Sequence, residues 1–176
     1  ARPVLERLSH ETGETANLVI LDRREALYLD KAESPQNLRI FSRIGRRAPL
    51  HCTAVGKILL AYRSKAEVDA LLGRGRLECF TRNTIITVSQ VRRELEKVRD
   101  QGFALDHEEC EEGACCIAVP IFNARGAVEA ALGISAPSTR LTPRRIEELV
   151  PDIVRAGRQV SEQLGYHGRH NTPATS

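Results

Sequence analysis

The sequence predicts an α+β domain, one antiparallel sheet with helices packed on it. Three observations carry that reading. The apolar period switches in blocks, and the blocks run helix, three strands, helices, strands and a final helix. Helix caps and turn glycines fall at the edges of those blocks. The 176 residues also show no internal repeat and no long linker, which suits one domain with a real core.

The elements follow in order. Val4, Leu5, Leu8 and Thr12 share one side of a short opening helix that Gly13 can stop. "TANLVILD" and "EALYLDKA" read as strands joined by a polar turn at Arg23 and Arg24, and "LRIFSR" reads as a third strand. After Pro49, residues Ala54, Val55, Ile58, Leu59 and Tyr62 recur with helical period. Ser64 and Glu67 make a capping box for a second short helix, with Val68, Leu71 and Leu72 buried and Gly73 as its stop. "RGRLECFTRNTI" is irregular. Thr87 and Gln90 make another capping box, whose helix buries Val88, Val91, Leu95 and Val98 and ends at Gly102. "GFALD" leads into the strand pair "CCIAVPIF" and "AVEAALGIS", turned at "NARG" with Gly126 in the left-handed position. The last helix starts at Thr142 with Pro143 as its first residue. Its apolar stripe is Ile146, Leu149, Val150, Ile153, Val154, Val160 and Leu164, and Pro151 should kink it. Residues 1–164 are thus expected as one domain and 165–176 as a frayed tail.

Composition narrows the function. Aromatics at 4% and the absence of Trp leave few faces for stacking nucleic-acid bases. A net charge of +3, from 26 basic and 23 acidic residues, is too balanced to argue for nucleic acid. Any DNA contact is expected outside this piece. Five cysteines, an odd number with two adjacent, point to a reduced cytoplasmic protein rather than a disulfide framework. The longest apolar run, "ACCIAVPIF", is strand-sized, so no membrane partner is expected. No signal peptide opens the chain, which begins abruptly in helix, as a fragment lacking an upstream domain would.

The second hairpin argues for a cavity. With the turn centred on Ala124 and Arg125, Cys116 falls opposite Gly133 and Ala118 opposite Ala131. One face then carries Cys116, Ala118, Pro120, Ala131, Gly133 and Ser135; the other carries Ile117, Val119, Ile121, Ala130, Leu132 and Ile134. The second face is core. The small residues of the first either let a helix pack close or leave room for a ligand. "LHCTAVGK" supplies a second wall: if Thr53 caps its helix, the N–H groups of Ala54, Val55 and Gly56 point out and attract a carboxylate or phosphate. The bland alternative is an ordinary helix start. A phosphate-binding P-loop is excluded, because the glycine five residues before Gly56 is missing and Ile58 follows Lys57.

The acidic stretch "DHEECEEGACC" raises two further chemistries. A metal site is disfavoured because Cys115 and Cys116 on one strand face opposite ways, although His107, Cys110 and Cys116 could converge through a loop. A nucleophile is disfavoured because Asp106 beside Cys116 would raise the thiol rather than activate it, and because His51 and Cys52 face apart. No catalytic residue, metal or cofactor is therefore assigned. The run Glu108, Glu109, Glu111 and Glu112 reads as a solvated loop, with one or two members capping or pairing with Arg.

"LHCTAVGKILLA" followed by "GFALDHEECEEGACCIAVPIFNARGAVEAALGISAP" closely resembles the C-terminal effector-binding domain of IclR-type bacterial transcriptional regulators, over about Leu5 to Leu164. The resemblance implies a GAF-like fold, a curved antiparallel sheet with helices on both sides. It implies a winged helix-turn-helix DNA-binding domain, absent from this chain, and a homodimer or homotetramer that works as a regulator, expected to be a repressor. It implies a small organic acid as effector, held by the helix N-terminus at Ala54 and Val55, by Asp106, Cys116 and Ser135, with Ile40 and Ala48 as apolar lining. Gly133 stands where some relatives have serine, which implies a larger or differently held effector. Two rival readings remain: an enzyme using Cys116 and Asp106 on a small acid, and a pure oligomerisation domain.

Overall fold

The computed structural model describes residues 1–73 and 75–168. The opening segment forms α1 (Arg2–Thr12), β1 (Thr15–Asp22), β2 (Glu25–Ala32) and a short β3 (Arg47–Ala48). Then come α2 (Ala54–Ala61), α3 (Lys65–Leu72), α4 (Val88–Gln101), β4 (Ala104–His107), β5 (Ala114–Phe122), β6 (Val128–Pro137) and α5 (Pro143–Gln163). The strands make one sheet in the order β3-β2-β1-β6-β5-β4, antiparallel at every pairing and curved in the GAF-like manner.

Helices cover both faces. Val4, Leu5 and Leu8 of α1 and Leu149, Ile153 and Val160 of α5 pack on Ile117, Val119, Ile121, Leu132 and Ile134. On the other face α2 and α4 bring Ile58, Leu59, Val91, Leu95 and Val98 against Val19, Ala104, Ala118 and Ala131. Among the described residues no helix is long and apolar enough to cross a membrane. The caps form where the sequence puts them. Thr53, Ser64, Thr87 and Thr142 each accept a hydrogen bond from a first-turn N–H, and Ser64 with Glu67 completes the reciprocal box. At Thr87 the box is altered, because Gln90 takes the threonine hydroxyl at 2.6 Å.

Three expectations change. The segment "LRIFSR" is not a strand; residues 33–46 form a strap, and the third strand moves on to Arg47–Ala48, beside Ala26 and Leu27. The strap's carbonyls are claimed by side chains instead of a ladder. Lys31 Nζ donates to the Ser42 carbonyl at 2.6 Å, Arg140 to Leu38 at 2.7 Å, Ser9 to Glu33 at 2.8 Å, and Thr15 to Ile40 at 3.4 Å.

The hairpin register is also different. Cys116 faces Ser135 and Ala118 faces Gly133. Asn123 N–H bonds the Ala127 carbonyl across a loop with Gly126 at φ 76°, and an irregularity beside Phe122 adds one more residue. The two offsets sum to two, an even slip, so every side chain keeps its expected face. Finally, α5 runs unbroken through Pro151, and Val154 and Leu164 of its expected stripe are exposed. Ala156 and Gly157 take up the contact instead: a Cβ on Gly157 would lie 2.6 Å from Val119 Cγ2. Of the expected tail, residues 165–168 are described, and there Tyr166 stacks on Phe122 at 4.9 Å. Residues 169–176 lie outside the described residues.

One glycine fixes the approach of α2. A Cβ on Gly56 would sit 2.4 Å from the Leu50 carbonyl and 2.6 Å from Thr53 Oγ1. The chain entering α2 therefore doubles back against the helix's own first turn, and only glycine leaves the space. Gly56→Ala should cost about 1–3 kcal/mol by overpacking, read as a lower urea midpoint with an unchanged slope. An unchanged midpoint would mean that the segment relaxes freely.

Candidate functional site

All eight residues expected at the site, Ile40, Ala48, Ala54, Val55, Asp106, Cys116, Gly133 and Ser135, line one cavity. The strap roofs it, the N-terminus of α2 forms one wall, the acidic loop another, and β5 with β6 the floor. Its free volume is about 40 Å³. That admits water but falls well short of the ~300 Å³ of a typical small-molecule site. A larger groove, about 630 Å³, lies elsewhere between α5 and β5, lined by Tyr62, Phe122, Val154, Arg158 and Tyr166. It contains none of the expected residues and no helix N-terminus.

The α2 wall is chemically open. Thr53 Oγ1 accepts from Gly56 N–H at 3.1 Å, and its carbonyl takes Lys57 N–H. The N–H groups of Ala54 and Val55 have no acceptor among the described residues, as helix geometry requires of a first turn. The small-residue face of the sheet does two jobs along its length. Ala118 and Ala131 admit α2, while Cys116 and Ser135 floor the cavity. Gly133 belongs to both. A Cβ there would lie 2.8 Å from the Ile117 carbonyl and 3.3 Å from Val55 Cγ1, so this glycine keeps α2 close. The resemblance pointed only to a lost ligand hydroxyl.

A buried polar chain runs under the roof. Ser42 donates to Asn17 Oδ1 at 2.7 Å, Asn17 Nδ2 to Ser135 Oγ at 3.2 Å, and Cys116 Sγ to Ser135 Oγ at 3.3 Å. Asn17 lies on β1, opposite Gly133, and the reading of the second hairpin alone could not find it. Arg46 also lines the cavity and has no ion-pair partner among the described residues. Cys116 stays a protonated thiol, because burial and then Asp106 push it up.

The acidic run is solvated at Glu111 and Glu112, as expected, but not at Glu109. Glu109 is buried and takes the fully buried Lys57 ammonium at 2.6 Å, with Glu94 of α4 at 3.8 Å. Glu109 Oε2 has no partner, and burial, opposed by Lys57, holds this carboxyl above its ordinary range. The loop's carbonyls are held by the irregular segment: Thr81 donates to Glu108 at 2.6 Å and Thr84 to Glu109 at 2.7 Å. Asp106 is buried and points inward, where it accepts the Glu109 N–H at 2.8 Å. Burial, partly countered by that bond, pushes it up to about 7.

His107 does not join Cys110 and Cys116. Its Nδ1 meets Cys115 Sγ at 3.3 Å, and burial raises that thiol to about 11. Among the described residues no three His, Cys, Asp or Glu side chains gather as metal ligands. His51 and Cys52 face apart: Nε2 of the buried His51 lies 2.9 Å from the Glu78 carbonyl, while Cys52 faces the acidic loop.

Two outcomes follow from the buried charges. Lys57→Met should destabilise by about 3–5 kcal/mol, since it strands Glu109. Adding Glu109→Gln should recover part of that loss in chemical denaturation; an additive double variant would deny the pair. Asp106 binds its proton more tightly folded than unfolded, so its share of stability is full below about pH 4 and is lost as pH rises through about 7. Asp106→Asn should gain on the parent across that window and level off above it. A constant difference would place Asp106 in water.

Comparison with known proteins gives the family. The family described as "Bacterial transcriptional regulator IclR C-terminal" matches residues 1–162. The chain is 44% identical over 163 residues to the HTH-type transcriptional regulator KdgR of Escherichia coli K12, covering 93% of this chain and 62% of that protein. It thus spans about three-fifths of that relative's length. The crystal structure of the C-terminal domain of E. coli KdgR superposes with a TM-score of 0.85 at 39% identity, over 94% of this chain and 96% of that one. The inducer-binding domain of PobR from Acinetobacter, a double mutant in complex with 3-hydroxybenzoic acid, gives 0.83 at 28% identity, over 92% and 95%. Sequence and fold together make this chain a member of the IclR family of bacterial transcriptional regulators, corresponding to its C-terminal domain.

Proposed function

We propose that the cavity senses a small organic acid and that the chain is the effector module of a cytoplasmic repressor. The observation that carries this is the pair of open N–H groups, Ala54 and Val55, facing a floor of small side chains. A carboxylate fits that end, where aligned peptide dipoles and unpaired donors both favour negative charge. Arg46 adds a cation at the rim. Ser135 and Asn17 offer hydrogen bonds to the acid's other end. Asp106 supports the wall rather than gripping the guest, and with its proton on it does not repel an anion. The 3-hydroxybenzoic acid complex of the PobR domain supports the ligand class.

A guest larger than water needs the roof to lift. Ile40 and Ser42 of the strap would move, exchanging the Ser42–Asn17 bond for contacts with the acid. That movement, read by a second copy in a homodimer or homotetramer, would reset the spacing of winged helix-turn-helix units on DNA. The shift is bounded by the acid's preference for the lifted state. Catalysis by Cys116 does not fit a thiol that donates its proton to Ser135 and is raised by burial. The small free volume favours one rival, an oligomerisation domain with a filled pocket.

A thermal-shift panel of keto, aromatic and sugar acids separates the two. An acid at a hundred times its dissociation constant adds about 2.7 kcal/mol, and silence from every acid favours the filled pocket. Arg46→Ala should weaken a responding acid about tenfold, or 1.4 kcal/mol. Affinity should fall as pH rises through about 7, where Asp106 ionises beside the guest. An affinity flat in pH would remove Asp106 from the wall.

A further inference from the structure

We infer that Tyr28 sets the specificity of the cavity, its phenol donating a hydrogen bond to an uncharged oxygen, a hydroxyl or a carbonyl, that the acid carries beyond its carboxylate. This role rests on the cavity reading proposed above and narrows the class of acid within it. The observation behind it is a buried hydroxyl with nothing to bond. Tyr28 lines the cavity from β2 and is only 9% exposed. Five other buried polar residues line the same space, Asn17, Ser42, Thr53, Asp106 and Ser135, and each is hydrogen-bonded through its side chain. The Tyr28 hydroxyl neither donates nor accepts a hydrogen bond among the described residues. Nor is it among the polar atoms sealed away without a partner, so it faces free space rather than packed side chains. A buried tyrosine ordinarily finds a partner for its hydroxyl.

The frame holds this donor still. Tyr28 pairs with Val19 of β1, its N–H donates to the Arg46 carbonyl at 3.0 Å, and its carbonyl accepts the Gly45 N–H at 2.8 Å. Its ring belongs to the apolar cluster around α2. The ionisable groups that act on the phenol are Cys116, Arg46, Cys110 and Asp106, and all four line the cavity. Burial first, and then Cys116, hold it protonated well above the ordinary tyrosine range. It is therefore a neutral, preorganised donor.

Its environment selects the atom it serves. The carboxylate already has the open N–H groups of Ala54 and Val55. Around the phenol, two thiols and a carboxyl stand against one cation, Arg46, and resist a second negative charge. An uncharged oxygen fits there. Asn17 and Ser135 must share bonds they already make, whereas Tyr28 has none to release. An acid without the extra oxygen covers the phenol and leaves it unbonded, which a site of this kind penalises.

The test measures dissociation constants for matched acids on the parent and on Tyr28→Phe. The probes are 2-oxobutanoate and 2-hydroxybutanoate beside butanoate, and 3-hydroxybenzoate beside benzoate. In a responding set, the parent should bind the oxygenated member about three- to tenfold tighter, the worth of one neutral hydrogen bond. In Tyr28→Phe that preference should vanish, with the affinity for the plain acid unchanged. Without any acid, Tyr28→Phe should unfold at a urea midpoint no lower than the parent's, since the hydroxyl it loses has no partner. A lower midpoint means that the hydroxyl already serves the fold, and it overturns the inference. A preference that survives Tyr28→Phe, or a parent with no preference, overturns it too. Equal weakening of every acid puts the phenol on the carboxylate and likewise overturns it. Silence from these and every other acid of the panel defeats the cavity reading and the role of Tyr28 with it. Binding without a preference that depends on Tyr28 defeats the role alone.

Discussion

The ammonium of Lys57, buried in the centre of the domain, is the constraint on which the rest depends. It lies one turn into a helix whose other seven residues are also buried, so it cannot reach water. A charge in that position is tolerated only beside carboxylates. Two are supplied, Glu109 from the acidic loop and Glu94 from α4. The loop must therefore fold inward over α2, and its neighbours follow. Thr81 and Thr84 hold its carbonyls, and Asp106 ties its turn from below. The cavity wall is a by-product of satisfying one lysine.

Close approach of α2 to the sheet is the second requirement, and it is met by removing side chains. Gly133 stands where a single carbon would lie 2.8 Å from the Ile117 carbonyl and 3.3 Å from Val55 of α2. Ala118 and Ala131 continue the trend beside it. Small size alone does not make room for a ligand; it can equally draw a helix nearer. In this domain the two uses divide the floor between them. The helix fills one end, and the polar chain Ser42, Asn17, Ser135 and Cys116 marks the end it leaves open.

What the sequence made legible was what local interactions decide. Caps at Thr53, Ser64 and Thr142 and the stops at Gly13, Gly73 and Gly102 involve neighbours within four residues, and they formed as read. The faces of the hairpin survived a wrong register because the period of a strand is two and the slip was even. The strap failed the strand reading because Lys31, Arg140 and Thr15, not a neighbouring strand, decide its bonding. The Lys57–Glu109 pair was within reach. "AVGKILLA" has one polar side chain in a helix apolar all round, and such a helix is buried on every side. A lysine there needs an acid, and the densest acidic run lay downstream in the same chain. Asn17 and Arg46 offered no such signal, since nothing along the chain places them beside the second hairpin.

The strap has a bearing on how such a sensor diversifies. Its backbone is gripped at the carbonyls by residues that belong to the frame, so apart from Ser34, which donates to the Gly13 carbonyl at 2.6 Å, Glu33, which pairs with Lys31, and Ser42, its side chains carry little of the fold's weight. Mutations at positions such as Leu38, Ile40 or Phe41 can therefore drift without unfolding the domain. On the proposed reading of the chamber, a lineage can retune what it recognises by editing the ceiling, while lysine, glycine and threonine keep the masonry beneath it unchanged.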